Sequence, residues 1–497
     1  MASLFSDEAK KNLFITIGLL FLAVLVYAQF GFNGKLARDD AIWLYGGQQM
    51  AQGIPPYVSI FDFKSPFGPM LAAAAAWLAY QTGGDDVLYV RLLFFLLSCL
   101  TVVSLYYLMS ALFQRRDTAI LAAVVFLCFW GFCRHAGSGP QVKTAMVLLQ
   151  ILALYYTSQG KWFLAGLSGS LAAWTWQPAV IFPLSTLILA FFQLNRGRAI
   201  LRTLVGGALP CLVIIGYFMA KGSFSALLQG AVLFNLQQLH RSVPLLQQVR
   251  AMAQTLTAAF PIWIFPMMAG LFVIAIFYFW RYRRCHNSWC ELMQNDPFAG
   301  LLLTFPFPFI WSSRDFQGYD DFFIFLPYAA VGIAASLSFI LTKFEMRWLL
   351  FKRYRRLTLA LISLLLVGQA VWFYRQKNHE IGSYLLQQKE WARQIEKEYL
   401  HQGELVSIGT PELMVLSHRR NRHRFLYIVE GIDDLINQET AGGFEGWLKQ
   451  IADIDPAVIG FKFAPGRFMG RLQDWLRAHY HETRVGDWTL YLDHDSR

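Results

Sequence analysis

The chain has 497 residues, of which 56% are hydrophobic, 16% aromatic and only 15% charged, and its mean hydropathy is +0.39. An ordinary soluble domain carries roughly 25% charged residues, so a soluble cytosolic enzyme is excluded. The formal net charge of +11, from 43 Lys+Arg against 32 Asp+Glu, reads as a topology signal and not as a nucleic-acid footprint, because the basic residues sit in short connections between apolar runs.

The first apolar run, Leu13 to Phe30, follows Lys10 and Lys11. An uncleaved first helix and a signal peptide both fit it, and either sends the next residues outside. Further runs fall near 66–82, 90–113, 118–133, 143–158, 162–177, 178–193, 200–220, 255–280, 298–311, 322–342 and 357–374. A crossing needs about 20 apolar residues or slightly fewer, so the pattern predicts a polytopic α-helical membrane protein of about 11–13 transmembrane helices. Pro178, Pro210, Pro261, Pro266 and Pro306 lie in these runs and predict kinks or broken helices.

Arg115-Arg116, Arg196 with Arg198 and Arg202, Arg281 to Arg284, and Lys352 to Arg356 form the basic clusters. Positive-inside logic puts them, and the N-terminus, in the cytoplasm. The loops 33–65, 134–142, 221–254 and 312–321 and everything after Tyr374 then come out external. Three runs separate the first two of these loops, an odd number, so either one run is not a full crossing, with the Ala-rich run 66–82 the suspect, or Arg115-Arg116 is external. Cys285-His286 with Cys290 matches no paired metal spacing and reads as an ordinary loop.

These features divide the chain into a membrane domain over 1–375, a linker helix over 376–400 and a soluble α/β domain over 401–497, which parity places outside. In the last of these, Glu404 to Thr410 reads as a strand and turn. Arg424 to Val429, Ala457 to Phe463 and Trp488 to Leu492 read as strands, and Arg467 to Tyr480 as a helix. The Gly409-Thr410-Pro411-Glu412 turn lacks the repeated glycines that cradle a phosphate, so this domain reads as an accessory module.

The loop after the first helix holds the densest chemistry: Ala37-Arg38-Asp39-Asp40, then Tyr45, then Gly53-Ile54-Pro55-Pro56-Tyr57, then Lys64-Ser65-Pro66. Asp39 or Asp40 could simply cap an interfacial helix running from Ala41 to Gln52. The functional reading is that one carboxylate takes a proton from an acceptor hydroxyl while Lys64 and Arg38 neutralise a phosphate.

In that order these residues resemble the first external loop of the GT-C superfamily of polyprenyl-phosphate-sugar glycosyltransferases, which includes protein O-mannosyltransferases and the aminoarabinose transferases of lipid A. Asp39-Asp40 with Tyr45, Gly53 with Pro55-Pro56-Tyr57, and Lys64-Ser65-Pro66 match an acidic pair, a Gly-x-x-Pro-Tyr-like step and a Lys-Pro-Pro motif. The second acidic residue is Asp where the family commonly has Glu, and Ser65 replaces a proline. The resemblance implies inverting transfer of a monosaccharide, with mannose as the suggested sugar, from a polyprenyl-phosphate donor to an acceptor hydroxyl on the extracytoplasmic face. Asp39 is the first choice of base with Asp40 the other, Lys64 contacts the donor phosphate, and Arg38, Tyr45 and Tyr57 join the substrate site.

Four further candidates lie in other loops: His135 and Lys143 in the basic stretch Arg134 to Lys143, and His240 and Arg241 after the amphipathic stretch Phe224 to Leu239. A basic loop at lipid headgroups is the alternative for the first pair. The loop Ser313 to Phe322 is similar to a signature of bacterial and archaeal lipid-phosphate-mannose mannosyltransferases. It offers Arg314 for phosphate and Asp315, Gln317 or Asp320 for sugar hydroxyls. An acidic pair can bind Mg²⁺ or Mn²⁺, yet lysine and arginine can stabilise a leaving phosphate unaided, so no essential metal is expected. The expected partners are the lipid-linked donor, a protein, lipid or glycan acceptor, and the bilayer. A lipid-linked sugar transporter or a non-catalytic scaffold are the rival classes.

Overall fold

The computed structural model describes residues 7–238, 244–284, 289–314, 316–347, 353–378, 383–400 and 403–493. Helices dominate, and the chain divides into two compact units. One comprises residues 1–32, 91–214 and 242–380, and the other 33–90, 215–241 and 381–497. The loop 33–65 therefore folds in the same unit as the C-terminal tail.

Among the described residues, five helical stretches are long and apolar enough to cross a bilayer: Glu8–Tyr27, Asp86–Phe113, Arg196–Ala220, Tyr319–Phe344 and Leu357–Gln376. A sixth arises if Arg116–Leu127 and Trp130–Ser138, bent by 69° at their junction, count as one broken span. Val142–Ser158, Gln177–Phe191, Phe224–Gln237 and Ile264–Trp280 are shorter apolar helices. The expected break at Pro178 is present: the helix Trp162–Thr175 stops, and Pro178 opens a new turn over Gln177–Val180. Pro210 is carried inside Arg196–Ala220.

In the first unit, small residues let helices approach closely, as in other membrane bundles. A Cβ on Gly332 would lie 2.0 Å from the carbonyl oxygen of Gly270, so Leu326–Arg347 and Ile264–Arg284 meet backbone to backbone.

In the second unit, the helix Arg38–Ala51 packs on Phe67–Thr82. The latter has 16 residues, about 24 Å at 1.5 Å per residue, which is short of the roughly 30 Å hydrocarbon core. The run 66–82 is thus a packing helix of this unit and is not among the helices that meet the crossing criteria. Gly47 makes the contact: a Cβ there would lie 2.6 Å from the Ala72 Cβ and 2.9 Å from the Ala72 carbonyl carbon. Gly47→Ala must push the helices apart, and overpacking of this kind costs about 1–3 kcal/mol. A melting temperature lowered by a few degrees in detergent is expected, and an unchanged one would mean that the interface yields freely.

The tail forms a four-stranded sheet of order β1-β2-β4-β3, with β1 Glu404–Ile408, β2 Pro456–Phe461, β3 His481–Val485 and β4 Trp488–Leu492. β1 and β2 are parallel, with helices Ile432–Glu439 and Gly443–Asp453 in the connection. β3 and β4 form a hairpin across Gly486-Asp487. The expected helix is present as Met469–His479.

The expected strand over Arg424 to Val429 is not formed. Leu426, Tyr427 and Ile428 are buried, but backbone groups of this segment bond to loops: Phe61 N–H donates to the Arg424 carbonyl at 2.6 Å and Gly409 N–H to that of Leu426 at 2.8 Å. The run is apolar because it is core, and irregular because its backbone partners are turns.

Candidate active site

The helix Arg38–Ala51 begins after an extended Ala37, with Asp39 and Asp40 in its first turn. No side chain caps it at Ala37, so the capping reading does not account for the pair, although the positive end of the helix dipole favours both carboxylates. The two differ in environment. Asp40 is buried, whereas the Asp39 side chain is 49% exposed and meets the Lys64 Nζ at 3.5 Å. Arg38 Nε is 3.9 Å from the other Asp39 oxygen, and Lys64 Nζ lies 4.5 Å from the centre of the Trp43 ring. A solvent-reachable carboxylate is thus flanked by two cations, one of them also held by an aromatic face.

Behind Lys64 stands a carboxylate that the motif reading missed. Asp62 is buried, and its Oδ1 accepts from the Tyr427 hydroxyl at 2.8 Å and from the Lys64 N–H at 3.2 Å. Burial pushes its pKa up, against the pull of the Lys64 charge and the Tyr427 hydroxyl. The Tyr57 hydroxyl donates to the Lys64 carbonyl at 2.6 Å, so Lys64 is pinned through both of its backbone polar groups. Tyr45 accepts the Asn421 N–H at 2.9 Å, and burial raises its phenol to about 12. Tyr45 and Tyr57 are both buried with their hydroxyls engaged inside this unit, which makes them positioning contacts.

The first unit holds a separate polar cluster. Lys143, in the first turn of Val142–Ser158, pairs with Asp320 Oδ2 at 2.6 Å and with Asp321 Oδ1. Gln141 Nε2 reaches the same Asp320 oxygen at 3.3 Å, and the Gln317 N–H donates to the second Asp321 oxygen at 2.6 Å. The His135 Nε2 lies 2.6 Å from the Tyr319 hydroxyl and the two rings stack. Lys143 Nζ is 5.2 Å from the centre of the Trp176 ring. Lys143 and Asp320, both expected to contact substrate, are therefore partners of one another, and Asp321 joins them. Arg314 ends the helix Pro306–Arg314 and is exposed, as is Gln317. His240, Arg241, Asp315, Cys285 and His286 lie outside the described residues.

In the second unit Glu412 is 6% exposed, and its Oε2 has no hydrogen-bond partner among the described residues. Burial pushes its carboxyl up to about 7, although Lys462, Arg38 and Lys35 pull the other way. A pKa raised on folding adds stability below the unfolded value, and that stability is lost as pH rises through the folded one. Glu412→Gln removes this loss, which is on the order of 3 kcal/mol. The variant is expected to melt higher than wild type at pH 8 and to lose that advantage at pH 5. The same difference at both pH values would contradict the assignment.

Residues 53–218 match the family model described as DolP-mannose mannosyltransferase. That stretch holds Tyr57, Lys64, His135 and Lys143 and lies C-terminal to Asp39 and Asp40. A dolichol phosphate-mannose mannosyltransferase of Haloferax volcanii is 23% identical over 342 residues, covering 67% of this chain and 68% of that protein. Among solved structures, ArnT from Cupriavidus metallidurans bound to undecaprenyl phosphate superposes with TM-score 0.59 at 13% identity, over 97% of this chain and 98% of that one. The archaeal oligosaccharyltransferase AglB from Archaeoglobus fulgidus, in complex with an inhibitory peptide and a dolichol-phosphate, gives TM-score 0.54 at 11% identity, over 97% and 74%. The fold is that of the GT-C membrane glycosyltransferases, as the resemblance of the loop residues implies.

Proposed function

We propose that this GT-C chain is a multi-pass membrane glycosyltransferase that moves mannose from a polyprenyl-phosphate donor to an acceptor hydroxyl on the extracytoplasmic face, with inversion at the anomeric carbon. The observation that carries the reading is Asp39, half exposed at a helix N-terminus and 3.5 Å from Lys64. Mannose rests on the matched family model and on the Haloferax volcanii relative.

In this reading the acceptor oxygen attacks the anomeric carbon and its proton passes to the Asp39 carboxylate. The bond from the anomeric carbon to the phosphate oxygen breaks, its electron pair leaves on polyprenyl phosphate, and the Lys64 ammonium and Arg38 guanidinium stabilise that charge. Asp62 and Tyr427 hold Lys64 in place. Asp40, buried, supports the helix start. No metal is invoked, because the two cations supply the charge a metal would.

The test is purified protein in lipid nanodiscs given polyprenyl-phosphate mannose, polyprenyl-phosphate glucose and GDP-mannose separately. Release of polyprenyl phosphate from the mannosyl lipid is expected. Turnover of the nucleotide sugar alone would overturn the reading.

A further inference from the structure

The loop that carries Lys64 is gripped by another segment of the same unit, within residues 215–241. There the chain is helical, and Leu228–Phe234 forms a π-helical stretch that leads into the short helix Asn235–Gln238. Turns of this kind are rare and occur mostly at functional sites. This one lies against the backbone just before Lys64. A Cβ on Gly230 would sit 2.4 Å from the Asp62 carbonyl oxygen and 2.6 Å from the Tyr57 ring, so only glycine lets the two segments come this close. The Phe234 ring packs on those of Phe61 and Phe63, with centres 5.4 and 5.6 Å away.

Asn235 adds the polar contact. Its Nδ2 donates to the Phe63 carbonyl at 2.7 Å and to the Ala231 carbonyl, one turn back on its own helix, at 3.0 Å. Both amide hydrogens are committed to these carbonyls, which fixes the orientation of the side chain and aims one donor at the peptide that joins Phe63 to Lys64.

Four consecutive residues are therefore held through their backbones. The Phe61 N–H bonds the Arg424 carbonyl, the Asp62 carbonyl abuts Gly230, the Phe63 carbonyl accepts from Asn235, and Lys64 is pinned by Asp62 and Tyr57. Arg424 Nη1 also reaches Gln229 Oε1 at 3.4 Å, so the tail and the π-helical stretch brace one another around the loop. The lysine stem is flexible, and a cation whose backbone is ordered before the ligand arrives loses less freedom on binding. The same bracing keeps Nζ over the Trp43 ring and 3.5 Å from Asp39.

We infer that Asn235 is a positioning residue for Lys64, and that through it the π-helical stretch sets the affinity of the site for the donor phosphate. The inference rests on the transferase reading above, in which Lys64 meets that phosphate, and adds the element that holds the cation in place.

The experiment uses the full chain in nanodiscs and reads the binding of tritiated undecaprenyl phosphate, and of undecaprenol, which lacks the phosphate. The proteins are wild type, Asn235→Leu, Gly230→Ala, Lys64→Ala and the double variant Asn235→Leu with Lys64→Ala. Asn235→Leu keeps the volume of the side chain and removes the donor. It is expected to weaken binding of the phosphate lipid about tenfold, the size of one good hydrogen bond, and to leave undecaprenol binding unchanged. Gly230→Ala pushes the loop away and is expected to do the same. In the Lys64→Ala background Asn235→Leu is expected to have no further effect, because a residue that acts through another does not add to its loss. In the transfer assay Asn235→Leu raises the donor KM about tenfold and leaves the acceptor KM in place. A thermal melt accompanies each variant, and Asn235→Ala is judged by the same criteria if Asn235→Leu does not fold.

Undiminished binding of the phosphate lipid by Asn235→Leu, an equal loss for undecaprenol, or a loss that repeats in full in the Lys64→Ala background overturns the inference. The expected binding pattern without turnover of any lipid-linked sugar supports the positioning role and sinks the transferase reading. Turnover of the mannosyl lipid with an unmoved donor KM in Asn235→Leu does the reverse.

Discussion

Asp39→Asn is expected to lower kcat about 10²–10⁴-fold, the usual loss for a missing general base, with donor binding retained. The substitution keeps the shape of the side chain and its place in the first helical turn, but the amide cannot accept the hydroxyl proton. Asp40→Asn separates the two members of the pair: Asp40 is 3% exposed against 49% for the Asp39 side chain, and its kcat is expected to stay within about tenfold of wild type. Lys64→Ala removes charge from the leaving phosphate and is expected to raise donor KM as well as lower kcat. Single-turnover rates and donor binding on the same preparations check all three. An Asp40 variant that is dead beside an active Asp39 variant would exchange the roles.

Lys143→Ala is expected to cost about 3–5 kcal/mol, because removing one partner of a buried ion cluster leaves uncompensated charge. The side chains of Lys143, Asp320 and Asp321 are only 11%, 19% and 4% exposed, and the remaining hydrogen bonds, from Gln141 and the Gln317 N–H, do not neutralise two carboxylates. The thermal melt of the purified protein should fall by about 3–5 degrees, because a 497-residue chain unfolds with an entropy on the order of 1 kcal/mol per kelvin. The triple variant Lys143→Met, Asp320→Asn, Asp321→Asn should recover most of it, since replacing a whole buried ion cluster is often nearly neutral. A single variant as stable as wild type would mean that Lys143 is a surface cation after all, free for substrate.

The sequence made the Asp39–Lys64 pairing legible because both residues lie in one loop and their chemical types state their roles. Asp62 was not legible. Its partner Tyr427 is 365 positions away, and only the folding of residues 33–90 with the tail brings them together. Asp321 was passed over in favour of Asp320, yet both sit on the 3₁₀ turn Tyr319–Phe325 and both reach Lys143. β3 was invisible because His481-Glu482-Thr483-Arg484 is a mostly exposed edge strand without the alternation that marks a half-buried one. The apolar run Phe425 to Val429 misled in the opposite sense, since burial and β-propensity are easily confused when a loop lies in a core. The Ala-rich run 66–82 has the hydropathy of a span but the length of a packing helix, and Gly47 against Ala72 is the contact it serves.

The measurement that bears most directly on the central claim is the anomeric configuration of the product, read by proton NMR after transfer from polyprenyl-phosphate mannose by the wild-type protein. Direct attack by an acceptor hydroxyl deprotonated at Asp39 predicts a linkage opposite in configuration to that of the donor. Retained configuration would require a double displacement, in which Asp39 is no longer a base acting on the acceptor, and would contradict the account.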